Sequence, residues 1–404
     1  MSPSPNSSYL ALIRGHSGFL SLAFLAIFTG NLGQSFFIGL FQEPLSEQID
    51  LSSGQFGSIY AAVTLVSGFL VLRLGPSIDW VAPRRYALLV LLGLTLGVVL
   101  LTSAPWWWAA LAGLGLVRLC GQGLMTHLGS TLAGREFTYN RGRALGLVSL
   151  GMPLGEILLP PIVALLLVWL GWQQLWWLLL AVFLFFWGWA YLQAPWPQAP
   201  QQAPAKGEKP RGPNPLREMR FWLLLPLLLA LPINMTGIFL YQAQMTSHLN
   251  ATLATYALAL TGMGVARLPG ALLGGRWVDQ LGVARLARVY LIPFILGLAA
   301  AFLLQGNWGI WLLMLGAGFA MGMQGPILDS LLVKLWGSQH LGRVRSVKSA
   351  CMVFSTAIAP ALLGFLLDWN INFSLLLMGM LVFVLLAILL ALKPIREAEG
   401  HALQ

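Results

Sequence analysis

Twelve apolar stretches follow one another along this chain, each about the length a helix needs to cross a bilayer. They run at 17–41, 54–74, 86–103, 105–130, 144–168 and 174–194, then at 219–244, 253–275, 286–305, 308–336, 346–368 and 370–393. A helix needs about 20 mostly apolar residues to cross a hydrocarbon core roughly 30 Å thick. Lipid offers no partner for a bare N–H or C=O, so a spanning segment must satisfy its own backbone, which stretches of this length do as helices. The pattern predicts an all-α membrane protein. A soluble globule is excluded by the same count: 58% of residues are hydrophobic, 9% are charged, and the mean hydropathy is +0.78. Too little polar surface remains to keep a globule dissolved. Seventeen Trp and 44 Gly fit a membrane chain, since Trp favours the interface and Gly lets helices approach closely.

The net charge of +10 does not point to nucleic acid, because the basic residues sit in short loops rather than on one soluble face. Cys120 and Cys351 both fall inside apolar stretches, so no disulfide framework is implied. The first stretch is longer than a signal-peptide core and has no small-residue cleavage site, which predicts a retained helix. The segment 195–218 is rich in Pro, Gln and charge and reads as a flexible cytoplasmic linker. It divides the chain into an N-terminal six-helix bundle, 1–194, and a C-terminal one, 219–404, with a short cytoplasmic tail.

Lys and Arg concentrate on the cytoplasmic side of membrane proteins. Of the 23 basic residues here, all but Arg118 and Arg267 fall before the first stretch, in or flanking the even-numbered loops, in the linker or at its edge, or at the tail. The odd loops, such as 43–53 and 245–252, contain none. The expectation is a multi-pass protein of the inner (cytoplasmic) membrane with both termini in the cytoplasm.

The halves also resemble each other. Gly75-Pro-Ser-Ile-Asp79 follows the second stretch and Gly275-Arg-Trp-Val-Asp279 the eighth, an offset of 200. Arginines lie downstream of both, Arg84 and Arg85 in one half and Arg285 in the other. Gln122-Gly123 is matched by Gln324-Gly325. On these residues the chain resembles the major facilitator superfamily over its whole length. That family carries a cytoplasmic loop motif of the form G-x-x-x-D-R-x-G-R-R. The second copy here keeps Gly275, Asp279 and Gly282 with Gln280 in place of Arg, and the first departs further, with Trp80 after the Asp. The resemblance implies twelve transmembrane helices in two pseudo-symmetric six-helix bundles, with substrate held between them near the midplane. It also implies a cytoplasmic gate at Gly75, Asp79, Arg84, Arg85, Gly275, Asp279, Gly282 and Arg285. A carboxylate at a helix terminus and nearby arginines can pair in one conformation and part in another. Topology signalling and surface solvation account as well for Arg84 and Arg85.

An ionisable side chain at mid-bilayer costs about 2.5 to 3.5 kcal/mol on insertion scales, and function often explains its presence. Arg118, Glu156, Arg267 and Asp329 qualify, with His127 as a fifth polar group. Arg267 sits in GMGVARLPGALLGG, where Gly and Pro are expected to open the local backbone. A guanidinium stays charged and matches a carboxylate with a planar fork. That segment, and RGRALGLVSLGMPLGEILLPPIVALLL at 141–167, are similar to the monocarboxylate and oxalate–formate branch of the superfamily. The resemblance implies that Arg267 pairs with a substrate anion. Met263 stands one turn earlier, where some members carry an acid. Arg118 resembles a basic helix-four motif associated with proton coupling. Arg118, Glu156, Asp329 and His127 are the candidate ion-coupling groups, with structural pairing or solvated gating as the other reading of each. Asn31, Gln34, Asn234, Tyr241 and Gln242 are candidates to line the substrate site beside Arg267. On a continuous helix Asn31 and Gln34 share a face. Interhelical hydrogen bonding would explain the same residues. The Trp runs at 106–108 and 176–177 read as interface anchors.

No Walker-type loop, HExxH, CxxC pair or Ser-His-Asp arrangement is visible, so neither an enzyme nor a cofactor or metal site is expected. Asn250-Ala-Thr252 fits a glycosylation pattern short enough to arise by chance. The leading expectation is a secondary transporter, working as a monomer in membrane lipid, that moves a small organic anion, a monocarboxylate for example, with or against protons. A proton-coupled exporter of amphipathic drugs or metabolites is the second reading. A membrane sensor or integral membrane enzyme is the third.

Overall fold

The computed structural model describes residues 9–103, 106–137, 141–197, 215–304, 306–337 and 341–400. Most of the expected linker, 198–214, and the side chains of Asp79, Arg141, Arg343 and Arg345 lie outside the described residues. All regular structure among the described residues is helical. Among the described residues, twelve helices are long and apolar enough to cross a membrane. They are α1 (Tyr9–Gly33), α2 (Ser53–Ile78), α3 (Pro83–Ser103), α4 (Trp107–Glu136), α5 (Arg143–Leu166) and α6 (Trp172–Gln193), then α7 (Met219–Leu240), α8 (Leu253–Leu281), α9 (Val283–Leu303), α10 (Asn307–Trp336), α11 (Ala350–Asp368) and α12 (Phe373–Glu399). The fold class expected from the apolar pattern is the one observed.

Of the spans whose ends differ from the sequence expectation, two bear on the site. The first begins at Tyr9 rather than 17 and stops at Gly33 rather than 41, so Arg14 belongs to the helix, where it is exposed. It stops because its last turn tightens to a 3₁₀ helix over Gly30–Gly33 and Gln34 turns extended, with φ −79° and ψ 150°. Helix α8 continues through Gly275 and Asp279 to Leu281. The second Gly–Asp copy therefore lies on the final turns of a helix. Gly282 ends it at φ +81°, a conformation that a side chain would strain.

The chain divides into two compact units, one of residues 1–49 and 62–207, the other of 50–61 and 208–404. Lipid tails are as apolar as leucine, so helices in a bilayer associate by close packing, and small residues set how near they come. In the second unit α8 and α10 meet through two Gly-x-x-x-Gly pairs, Gly270/Gly274 and Gly318/Gly322. A methyl group on Gly318 or Gly322 would overlap the backbone carbonyl of Met263 or Arg267. In the first unit α3 meets α4 at Gly97, where a Cβ would lie 3.0 Å from Val117 N. Gly297 of α9 does the same against α10, with a Cβ 2.8 Å from Leu313 Cα.

The repeat extends to local structure. A seven-residue helix, Gln42–Gln48, follows α1, and another, Gln242–His248, follows α7. Ser52 and Thr252 cap the helices that come next, each Oγ accepting from the N–H three residues on at 3.2 Å. Ser52 completes a capping box, because its own N–H donates to Gln55 Oε1 at 2.9 Å.

Candidate functional site

The break in α1 gathers buried polar side chains, among them Asn31 and Arg118. Ending a helix there leaves carbonyls without intrahelical partners. Helix α4 supplies one from a π-helical stretch, Arg118–Met125, a geometry that recurs at functional sites. Gly33 of α1 and Gly121 of α4 let the two backbones touch, since a Cβ on Gly121 would lie 2.9 Å from Gly33 N. Arg118 Nη1 then donates to Gly33 O at 3.3 Å. Asn31 Nδ2 donates to Phe28 O at 2.9 Å and crosses to Gly151 O of α5 at 3.0 Å. Its amide rests on Gly155, where no side chain would fit. Glu156 is the next residue. Arg118 is 4% exposed, Glu156 5% and Asn31 0%. Arg118 and Glu156 each have interaction partners. Above the break, Trp187 Nε1 of α6 donates to Thr29 Oγ1 at 2.9 Å. Gln34, expected to share a helix face with Asn31, instead occupies the extended break itself.

In the second unit the polar residues of α7 have their own partners. Asn234 Nδ2 donates to Ala230 O one turn back at 2.8 Å. Tyr241 ends α7, fully buried, and its hydroxyl lies 2.8 Å from both Ser53 O and Pro360 O. It ties the head of α2 to α11. Gln242 is buried with neither amide atom bonded to protein. The head of α2 holds a clasp that sequence reasoning missed. Asp368, at the end of α11, accepts from Ser52 Oγ at 2.7 Å and from Gly54 N at 2.9 Å. The carboxylate thus caps a helix start over 300 residues away in sequence. Ser52-x-x-Gln55 was a legible signal for the helix start, though not for its distant acid.

Arg267 is half-buried. Helix α8 stays continuous past it with Pro269 inside, so the expected opening of the backbone by Gly and Pro does not occur. Glycine contacts with α10 lie on both sides of Arg267. Asp329 lies 3.5 Å from Lys348 Nζ, with its side chain 40% exposed, and is a partly solvated group near a helix end. His127 is half-buried beside Gly75, where a Cβ would lie 3.5 Å from its Nε2. That contact joins His127 to the loop motif, a link its sequence position did not suggest. The same loop is held by Arg135, whose Nη1 donates to Ile78 O at 3.0 Å. Arg84 stacks its guanidinium over Tyr191 at 4.2 Å, while Arg85, Asp279 and Arg285 are exposed.

A family model described as Major Facilitator Superfamily matches residues 23–242 and 222–403. No curated protein sequence matches the chain. Among solved structures, a bacterial homolog of the human lysosomal transporter Spinster, inward-facing and unoccupied, superposes with a TM-score of 0.68 at 14% identity, covering 95% of this chain and 98% of that one. Its occupied form gives 0.68 at 15%, covering 97% and 98%. A variant of the peptide transporter POT gives 0.73 at 15% identity, covering 93% and 95%. At such identities the likeness speaks to the fold alone.

Proposed function

Since this chain belongs to the major facilitator superfamily and is a secondary transporter of the membrane, we propose that it moves a small organic anion by alternating access, with Arg267 binding the anion. The observation that carries this reading is where Arg267 lies on α8. Leu258, Val265 and Leu272 are exposed and apolar, and recur every seven residues along one side of the helix. At about 100° per residue, Arg267 stands roughly 140–180° away from that row. It falls on the stripe of Met263, Gly264, Gly270 and Gly274, which are all buried. A lipid-facing guanidinium would cost about 2.5 to 3.5 kcal/mol; on the inner stripe it is turned away from lipid. A carboxylate is the guest its fork fits, through two parallel charge-assisted hydrogen bonds.

Arg118, buried at the α1 break, and Glu156, buried on α5 next to the Gly155 that Asn31 packs on, are the groups we assign to proton coupling. A carboxyl that exchanges a proton beside a fixed cation can bias the packing of the broken helix against α4 and α5. The lopsided distribution of Lys and Arg supports an inner-membrane location with both termini in the cytoplasm.

The test is a panel of mono- and dicarboxylates screened for thermal protection of the purified protein and of Arg267→Ala and Arg267→Lys. A ligand at a hundred times its Kd stabilises by about 2.7 kcal/mol, which a melting curve resolves. An acid that protects the parent, with protection weakened in Lys and lost in Ala, is the expected result. Equal protection of all three proteins, or protection by amphipathic cations alone, removes the anion assignment. Uptake of the protecting acid into proteoliposomes with and without an imposed pH gradient then tests the coupling.

A further inference from the structure

In the second unit, α11 and α12 leave the turn at Asn370 and diverge. Helix α7 packs along both, while the two hardly touch each other. The space between them is a groove of about 860 Å³, within the size range of ligand pockets. Its floor is the row Leu225, Leu229, Ile233 on one face of α7. Its walls carry Ile358 and Leu362 from α11 and Leu375 and Gly379 from α12. The two polar groups in the lining, Asn234 and Ser355, are satisfied by carbonyls of their own helices. What faces the groove is hydrocarbon.

The groove is continuous with the bilayer-facing surface. Ile358 and Leu362 are 61% and 58% exposed on one lip and Leu375 is 50% exposed on the other, so its mouth opens between two apolar rows. Apolar cavities stay dry, and a groove left empty would forfeit dispersion contacts along three helices. The medium at its mouth is acyl chain. Moving a chain from bilayer to groove brings no hydrophobic gain, because lipid is as apolar as the lining; the preference comes from fit. On α11 the lining runs from Cys351 to Leu366, about 22 Å at about 1.5 Å per residue. One leaflet of hydrocarbon is about 15 Å, half of the roughly 30 Å core. A chain entering at the α11–α12 turn therefore reaches past the midplane. At that end Trp369 is exposed, and Trp marks the level of the headgroups.

We propose that this groove binds one acyl chain of a bilayer glycerophospholipid, entered from the leaflet at the α11–α12 turn. The full chain is reconstituted in vesicles of phosphatidylethanolamine and phosphatidylglycerol containing a phosphatidylethanolamine with a diazirine at the end of one acyl chain. After photolysis, labelled peptides are mapped. Labelling of α7, α11 and α12 groove residues should exceed that of the open face of α6 roughly threefold, because the groove presents three helix faces where an open surface presents one. A Cβ on Gly379 meets open space, so Gly379→Phe fills the groove without displacing backbone and should bring the labelling down to the α6 level. Ile358→Trp, at the exposed lip, should do the same by narrowing the mouth. Gly188→Phe, on α6 where a Cβ also meets nothing, should leave the pattern unchanged. Native mass spectrometry of protein released from these vesicles should show one retained phospholipid in the parent and none in Gly379→Phe. Even labelling over all exposed faces, labelling indifferent to both groove variants, or a retained amphiphile that is not a phospholipid would each overturn the proposal.

Discussion

Replacing Asp368 by alanine takes the carboxylate away from the head of α2, and the loss can be worked out bond by bond. Gly54 N–H sits in the first turn of α2, where no carbonyl of that helix can accept it; Asp368 Oδ2 does, at 2.9 Å. Ser52 Oγ accepts from Gln55 N at 3.2 Å and gives its own proton to the same carboxylate at 2.7 Å. Loss of a helix cap costs about 1 kcal/mol, within 0.5 to 2. A negative charge beside a helix N-terminus adds about 0.3 to 1 kcal/mol at low salt. The Ser52 bond is exposed, so water replaces most of it. The expected total is about 1 to 2 kcal/mol. At about 2–4 °C per kcal/mol for a unit of 150 to 250 residues, thermal unfolding in detergent should fall by several degrees. Asp368→Asn keeps an acceptor for Gly54 and loses only the charge, so it should lose about half as much, with the deficit shrinking in high salt. Ser52→Ala together with Asp368→Ala should cost less than the sum, by about 0.5 kcal/mol or more, since the two share one bond. If Asn is as damaging as Ala, or the two alanine changes simply add, the clasp is not what steadies this helix.

Four further outcomes follow from contacts elsewhere. Gly322→Ala should cost about 1 to 3 kcal/mol by thrusting a methyl into the Arg267 carbonyl, whereas Gly325→Ala, where a Cβ meets nothing, should be neutral or gain up to about 1 kcal/mol from helix propensity; equal melting temperatures would contradict the packing of α8 on α10. Gly155→Ala should dislodge the Asn31 amide and lower stability more than Gly146→Ala, whose site is open, and a tolerated alanine at Gly155 would show that the α1–α5 contact is loose. Trp187→Phe drops the 2.9 Å bond to Thr29 and leaves a cavity where part of a fully buried indole lay, for an expected loss of about 1 to 4 kcal/mol; no change in melting temperature would discount both. Glu399→Gln breaks a 2.6 Å pair with Arg288 whose side chains are 43% and 31% exposed, and should change stability by less than about 1 kcal/mol; a shift of many degrees would show that this pair is shielded from water.

The sequence by itself determined that this chain spans a membrane twelve times, and that its halves repeat. Those features are local: each helix must be long enough for the bilayer and must satisfy its own backbone, so length and apolarity alone reveal it. The repeat was equally legible, because Gly75 and Gly275 or Gln122 and Gln324 can be compared without knowing what they touch. Only the tertiary structure decided where α1 ends. Its break at Gln34 depends on the π-helical turn of α4 and on Arg118 reaching Gly33 O, partners 85 residues apart. It likewise decided that Tyr241, polar enough to suggest a binding site, holds two backbone carbonyls, that His127 stands against Gly75, and that Asp368 caps a distant helix. The physical reason is common to all of them. In lipid a polar group must find a partner, and which one it finds depends on helices that meet only when the chain has packed.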